Sequence, residues 1–305
     1  MYTASVIRGV VVLLVLAIPA TSHAFCRSLS VVSGSSSCRQ DCLLLSDFTP
    51  AERAERNIVE LGWQRRCIEY VVNTEDSLQF SQAETEAIFE RSFASWLNVT
   101  CGGSPIDFDV RLGPEPGQCD VPEYVSGGAN SNSMAFVGNW SGRGHAGGAF
   151  ALTTTWFDTG SGEILDADME INQQFWTFAE CPAGGCDDGR VDLENTVTHE
   201  LGHFFGLAHS PDDETATMWA CADEGEVLKR DLHPDDVAGL CAVYPPGTLP
   251  AECDYDPRGG FNPACRADRE SCGCRAPGAG GSAPGWLGVL GLLAIAIARR
   301  NRRTR

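Results

Sequence analysis

Between His199 and His209 the chain reads H-E-x-x-H-x-x-G-x-x-H, with His199, Glu200, His203, Gly206 and His209 at the named positions. The spacing has one economical geometry. On a helix, residues four apart lie one turn apart on the same face, so His199 and His203 point their imidazoles at one place. Gly206 follows three residues later, where a residue without Cβ can adopt positive φ, end the helix and turn the chain back. His209 then returns to the same place as a third nitrogen donor. Three neutral imidazoles are a zinc ligand set that leaves one coordination position open for water, whose pKa falls from about 15.7 to roughly 7. Glu200 is adjacent to the first ligand without being one, which places a carboxylate where it can take a proton from that water and pass it on. The expected metal set is therefore His199, His203 and His209, with Glu200 as the catalytic acid/base.

Further residues extend the pattern. Met218 follows His209 by nine residues in Ala216-Thr217-Met218-Trp219, Ser210 directly follows the third histidine, and Leu232-His233-Pro234-Asp235-Asp236-Val237-Ala238-Gly239 fits L-x-x-D-D-x-x-G with Tyr244 close behind. With these features, residues 61 to 246 resemble the metzincin metalloproteases, and within them the matrixins, the matrix-metalloprotease-like branch. The resemblance implies an α+β, zincin-like catalytic domain. It would have a twisted, mostly parallel sheet, a long active-site helix, a methionine turn at Met218 beneath the metal, and a small C-terminal subdomain. It implies one catalytic Zn2+ and hydrolysis of protein or peptide substrates. The contrasting reading is a surface adhesion or zinc-binding module that keeps the fold without catalysis; a third is hydrolysis of a non-peptide amide.

Two departures qualify the resemblance. The stretch where matrixins commonly place histidines for a second, structural zinc is here Gly147-Gly148-Ala149-Phe150-Ala151-Leu152-Thr153, and His145 stands alone, so no second zinc is expected. A P-R-C-G-type latency cysteine is also missing.

The first 24 residues read as a secretory signal: Arg8, an apolar run from Val10 to Ile18, and small residues at Ser22-His23-Ala24. Export makes disulfides the expected state of the 14 cysteines. Proximity to the active and last helices suggests Cys181 with Cys186 and Cys221 with Cys241. The formal net charge of −19 opposes binding to nucleic acid or anionic surfaces and favours solubility.

Residues 25–60 carry Cys26, Cys38 and Cys42 and form either a short pro-segment or an N-terminal brace. Cys67 to Val72 predicts the first strand of the catalytic domain, Ser81 to Glu84 a capping box before a helix through Trp96, and Ile106 to Val110 a second strand. Residues 113–133 read as a loop, followed by strands at Met134–Val137, Phe150–Phe157 and Glu163–Asn172. By the resemblance, Phe150–Phe157 is the edge along which an extended substrate pairs; from the residues alone it is equally an ordinary edge strand. Asp166, Asp168 and Glu170 recur at period two and share a face, as either a Ca2+ site or a solvated polar face. Asp192 is the expected N-cap of the active helix. Trp219 and the following chain are expected to wall the side-chain pocket beyond the scissile bond; from the residues alone Trp219 is equally a core aromatic.

Residues 247–275, rich in Cys, Pro and Gly, read as a stalk. Residues 276–305 add a spacer, an apolar run from Trp286 to Ala298 and an arginine-rich end. With Cys272-Gly273-Cys274 before it, this ending resembles the MYXO-CTERM class of bacterial surface-sorting tails. The apolar run is about 20 Å long as a helix against about 30 Å of hydrocarbon, which suits a transient sorting segment better than a permanent transmembrane anchor. Membrane contact is expected only through this segment.

Overall fold

The computed structural model describes residues 25–31, 38–40, 42–266 and 298–299. The signal stretch, Cys272, Cys274 and the apolar run up to Ile297 lie outside the described residues. The N-terminal part contributes a two-residue strand, β1 (Cys26–Arg27), and a short helix, α1 (Pro50–Arg56). Thr49 starts that helix by accepting from Glu52 N–H, and Pro50 occupies the first turn, where no N–H is needed.

The β-branched and aromatic run beginning at Cys67 forms β2 (Cys67–Asn73), buried along its whole length. The Ser81/Glu84 capping box opens α2 (Gln82–Leu97), whose inward face carries Ile88, Phe89, Phe93 and Trp96. Strands β3 (Asp109–Leu112), β4 (Asn132–Val137), β5 (Ala151–Phe157) and β6 (Ile164–Asn172) complete one sheet in the order β3-β2-β4-β6-β5. Its ladders are parallel except the last, where β5 runs antiparallel to β6 with Thr153 opposite Met169. The second strand begins later than Ile106 because Ile106 turns into the core and the ladder to β2 starts at Cys67↔Asp109.

Ala167, Met169 and Ile171 of β6 face the core with Tyr70, Met134 and Phe136. Asp166, Asp168 and Glu170 alternate with them and so take the other face. Over the core face lie α2 and α3 (Leu193–Phe204), held together by Trp96 Nε1–H donating to Thr198 O at 2.9 Å. Apart from Glu194, every residue of α3 is buried. Its far end is fixed by Trp63 Nε1–H to Phe204 O (2.8 Å) and Tyr244 O–H to Phe205 O (2.8 Å), which satisfy carbonyls that a helix end leaves open. A short strand, β7 (Leu207–Ala208), follows and pairs antiparallel with β1; α4 (Pro234–Val243) closes the catalytic region. The described residues thus form an α+β body with four α-helices.

Six disulfides join the twelve cysteines of the described region. Cys181 pairs with Cys186 as expected. The Cys221–Cys241 expectation is wrong: Cys221 pairs with Cys38 and Cys241 with Cys101. The reason is topological, since α4 carries Cys241 to the ribbon that follows α2, whereas Cys221 faces the N-terminal segment. Cys67–Cys253 and Cys119–Cys265 bind the chain beyond Pro246 to the body. Through residue 266 it therefore lies as a strap, with Gln118 N–H donating to Pro263 O and Asn262 N–H to Asn130 O, and does not extend as a stalk. No helix among the described residues is long and apolar enough to cross a membrane.

Candidate metal centre

The start of α3 is fixed first. Asp192 accepts from Asn195 N–H (2.7 Å) and Cys181 N–H (2.9 Å), and Arg230 binds both its oxygens (2.8 and 2.5 Å). This arrangement sets the helix phase, which brings His199 and His203 together with ring centroids 5.0 Å apart. Gly206 adopts φ +84° and its N–H closes the helix on His203 O at 2.9 Å. A Cβ there would meet Leu61 O at 2.7 Å, so the site needs glycine for space as well as for φ. The turn delivers His209, with its centroid 4.8 Å from His203 and 5.2 Å from His199.

Backbone carbonyls assign the tautomers. His199 Nδ1 lies 2.6 Å from Thr217 O and His203 Nδ1 2.7 Å from Leu207 O, and a carbonyl can only accept. Both Nδ1 atoms therefore carry the proton, and both Nε2 lone pairs turn inward. His203 Nε2 is buried without a protein partner, and His199 Nε2 faces His209 Nε2 at 3.3 Å. Burial drives all three imidazoles toward the neutral form, His203 down to about 4 and the other two well below the ordinary range.

Lone pairs converging in a buried space are unfavourable unless a cation lies between them. Bonds of 2.0–2.1 Å at a tetrahedral angle set two zinc ligand nitrogens about 3.3–3.4 Å apart, matching the His199–His209 separation of 3.3 Å. The ligand-capable nitrogens of the three residues all lie within 4.8 Å of one another. By donor type, tautomer and spacing, the residues fit zinc.

Glu200 is also fully buried. Its Oε2 accepts from Thr153 Oγ1–H at 2.7 Å, while Oε1 has no protein partner. Burial pushes its carboxyl up to about 8, against the pull of the Thr153 hydrogen bond and the nearby Lys229. A divalent cation beside it would favour the ionised form. Sequence reasoning missed Thr153, whose only signal was its place on the strand beside the helix.

Beneath the histidines, Asp236 accepts from Thr217 N–H (2.7 Å) and Met218 N–H (3.0 Å), fixing the turn that carries Met218. Met218 O returns a bond to Ser210 N–H at 2.8 Å. Lys229, also missed and buried, donates to Trp219 O at 2.5 Å and Thr217 O at 3.3 Å; burial lowers its ammonium to about 8. Gly202 lies inside α3, where a Cβ would come within 2.1 Å of Met218 Sδ.

The matrixin family model matches residues 62–245. The chain belongs to the matrixin family. Among curated matrixin relatives, metalloendoproteinase 1-MMP of Arabidopsis thaliana is 28% identical over 194 residues, covering 60% of this chain and 44% of that protein. Metalloendoproteinase 2-MMP of the same plant is 28% identical over 221 residues (68% and 50%), and bovine interstitial collagenase 27% over 172 residues (56% and 30%). The chain thus spans half or less of the length of these relatives. Matrixins are zinc-dependent, in keeping with the donor set described above.

The carboxylates of the acidic face have different partners. Glu170 is engaged by Arg143 at 2.6 Å and by His145 Nε2 at 3.1 Å, while Asp168 accepts from Ser133 N–H and Glu123 N–H. Asp166 is fully buried with no donor to either oxygen. All three carboxylates are buried, so the face is not a solvated one.

Proposed function

We propose that this matrixin is an exported zinc-dependent endopeptidase. His199, His203 and His209 hold the ion and Glu200 is the general base and then the general acid. The observation that carries the reading is the inward convergence of Nε2 lone pairs beside a buried carboxylate with one oxygen free. Six disulfides support an extracellular setting.

Zinc held at this site supplies Lewis acidity toward a peptide carbonyl and toward the attacking water. The chain's own groups do the rest. Thr153 Oγ1–H fixes Glu200 through Oε2, which leaves Oε1 to accept the water proton and return it to the leaving amine nitrogen. Thr217 O and Leu207 O hold the His199 and His203 rings in their ligating tautomers. β5 is the last strand of the sheet, and its outer edge can pair with an extended substrate backbone. Trp219, nearly buried next to Met218, would restrict the pocket beyond the scissile bond.

The test is incubation of the full-length, zinc-loaded protein with a diverse peptide library, alongside a chelated sample and Glu200→Ala. Cleavage by the wild type, lost in both controls while the variant keeps its zinc, is the expected result. A folded, zinc-loaded wild type that cleaves nothing would overturn the reading.

A further inference from the structure

The sequence leaves residues 25–60 open between a pro-segment and a brace, and the structure ties this segment to the loop that carries the third histidine. β1 pairs with β7, Cys26 opposite Ala208, immediately before His209. Ser28 N–H donates to Gly206 O at 2.9 Å, and Leu61 N–H donates to Ser28 O at 2.8 Å. Cys26–Cys42 closes the segment on itself, and Cys38–Cys221 fastens it across 183 residues. Beside that bond, Arg39 Nη2 lies 3.3 Å from Asp212 Oδ1.

The positions of these anchors matter. Asp212 is three residues past His209, and Cys221 is three residues past Met218. Cys38 and Arg39 therefore straddle the loop that runs from the third imidazole through the methionine turn to the chain expected to wall the side-chain pocket. Loops acquire a fixed shape when their ends are covalently and ionically held, and pocket shape sets selectivity. The same wiring argues against a removable pro-segment. A cut anywhere between residues 43 and 60 would leave the Cys26–Cys42 region attached through Cys38–Cys221.

We propose that Cys38 and Arg39 set the shape of the specificity-determining loop on the leaving-amine side of the scissile bond, Cys38 through its disulfide with Cys221 and Arg39 through Asp212. This rests on the peptidase reading given above. They act by shaping the loop from Ser210 to Cys221, and take no part in the chemistry. They should therefore influence which residues are accepted after the cleaved bond and be indifferent to those before it.

The experiment profiles full-length wild type, the double variant Cys38→Ser/Cys221→Ser, and Arg39→Ala against peptides randomised separately on each side of the cleaved bond. Zinc content and thermal midpoint are measured in parallel. In the double variant, relative kcat/KM among leaving-side residues should change by about fivefold or more, with the preferences on the other side unchanged. Arg39 is 71% exposed, so Arg39→Ala should keep the wild-type midpoint and shift the same side more weakly. Equal loss on every peptide, or unchanged preferences in both variants, would overturn the proposal. A wild type without any cleavage would remove the peptidase reading and this proposal with it, an outcome distinct from an active wild type whose variants keep its preferences.

Discussion

Gly202→Ala should destabilise this protein even though alanine is the better helix former. In an open helix the change would gain about 1 kcal/mol. Here the new Cβ would stand 2.1 Å from Met218 Sδ and 3.0 Å from Trp96 Cζ2, where ordinary contacts are 3.4–4 Å. Met218 would have to retract by more than an ångström. A methionine can often adjust, but this one is 2% exposed and its backbone is held by Asp236. Trp96 is fully buried and fixed by its bond to Thr198 O, so it cannot give way either. Overpacking of this kind costs about 1–3 kcal/mol, and two immobile neighbours place it near the upper end. Subtracting the helix gain leaves a net loss of about 2 kcal/mol. In a Met218→Ala background the 2.1 Å clash is gone and only the 3.0 Å approach to Trp96 Cζ2 remains, so the same substitution should be about neutral, a coupling of about 2 kcal/mol. Urea denaturation of the four zinc-loaded proteins measures each corner of this cycle. A Gly202→Ala variant more stable than wild type, or equal effects in both backgrounds, would show that Met218 is not what requires glycine at this position.

Gly206→Ala must place a side chain at φ +84° and 2.7 Å from Leu61 O, so zinc affinity, read by competition with a chromogenic chelator, should fall by about tenfold or more; unchanged affinity in a folded variant would refute this. For the metal-free protein, the folded pKa of His203 lies at about 4 against 6.5 when unfolded, so between these values the unfolded chain binds more protons and stability falls as pH is lowered. His203 alone should remove about 2 kcal/mol between pH 7 and 5, and a flat urea midpoint over that range would contradict it. Burial and the neighbouring Asp168 carboxylate raise Asp166 well above the usual carboxylate range, which favours its protonated form in the folded state. Because a raised carboxyl loses its contribution as pH rises from its unfolded toward its folded value, Asp166→Asn should be tolerated and should lessen the decline of stability as pH rises above the ordinary carboxylate range, read by urea denaturation. A variant whose stability falls with pH as steeply as the wild type would refute this.

What could be read in advance was what depends on residues close in sequence. The fourfold spacing of His199 and His203, the Ser81/Glu84 box and the Asp192 cap each act within one helical turn, so their geometry follows from the order of residues. The strand around Glu163–Asn172 was legible from its period-two acids for the same reason, to within a residue. Long-range matters were not. Cys221 and Cys241 are twenty residues apart, yet their partners lie 183 and 140 residues away, because α4 and the N-terminal segment approach them from different sides. The period-two acids were correctly given one face, but that Glu170 is claimed by Arg143 and His145 depends on how the loop before β5 folds over the sheet. Gly202 carried a usable signal, since a glycine inside a strongly patterned helix usually answers to a close neighbour. Thr153 carried only its place on the strand beside the helix, and Lys229 carried none, because it is defined only by contacts made across the fold.

The two disulfides of the strap also decide how the molecule would bear a load. Tension applied at residue 266 reaches Cys265 first and passes through Cys119 into the loop ahead of β4, and then through Cys253 and Cys67 into β2. Both routes enter the sheet near the strands farthest from β5. The pull is spread over parallel hydrogen-bonded ladders before it can reach α4, and α3 lies beyond that again. Along the strap, a load at residue 266 therefore meets the sheet before it meets the helix that carries His199 and His203.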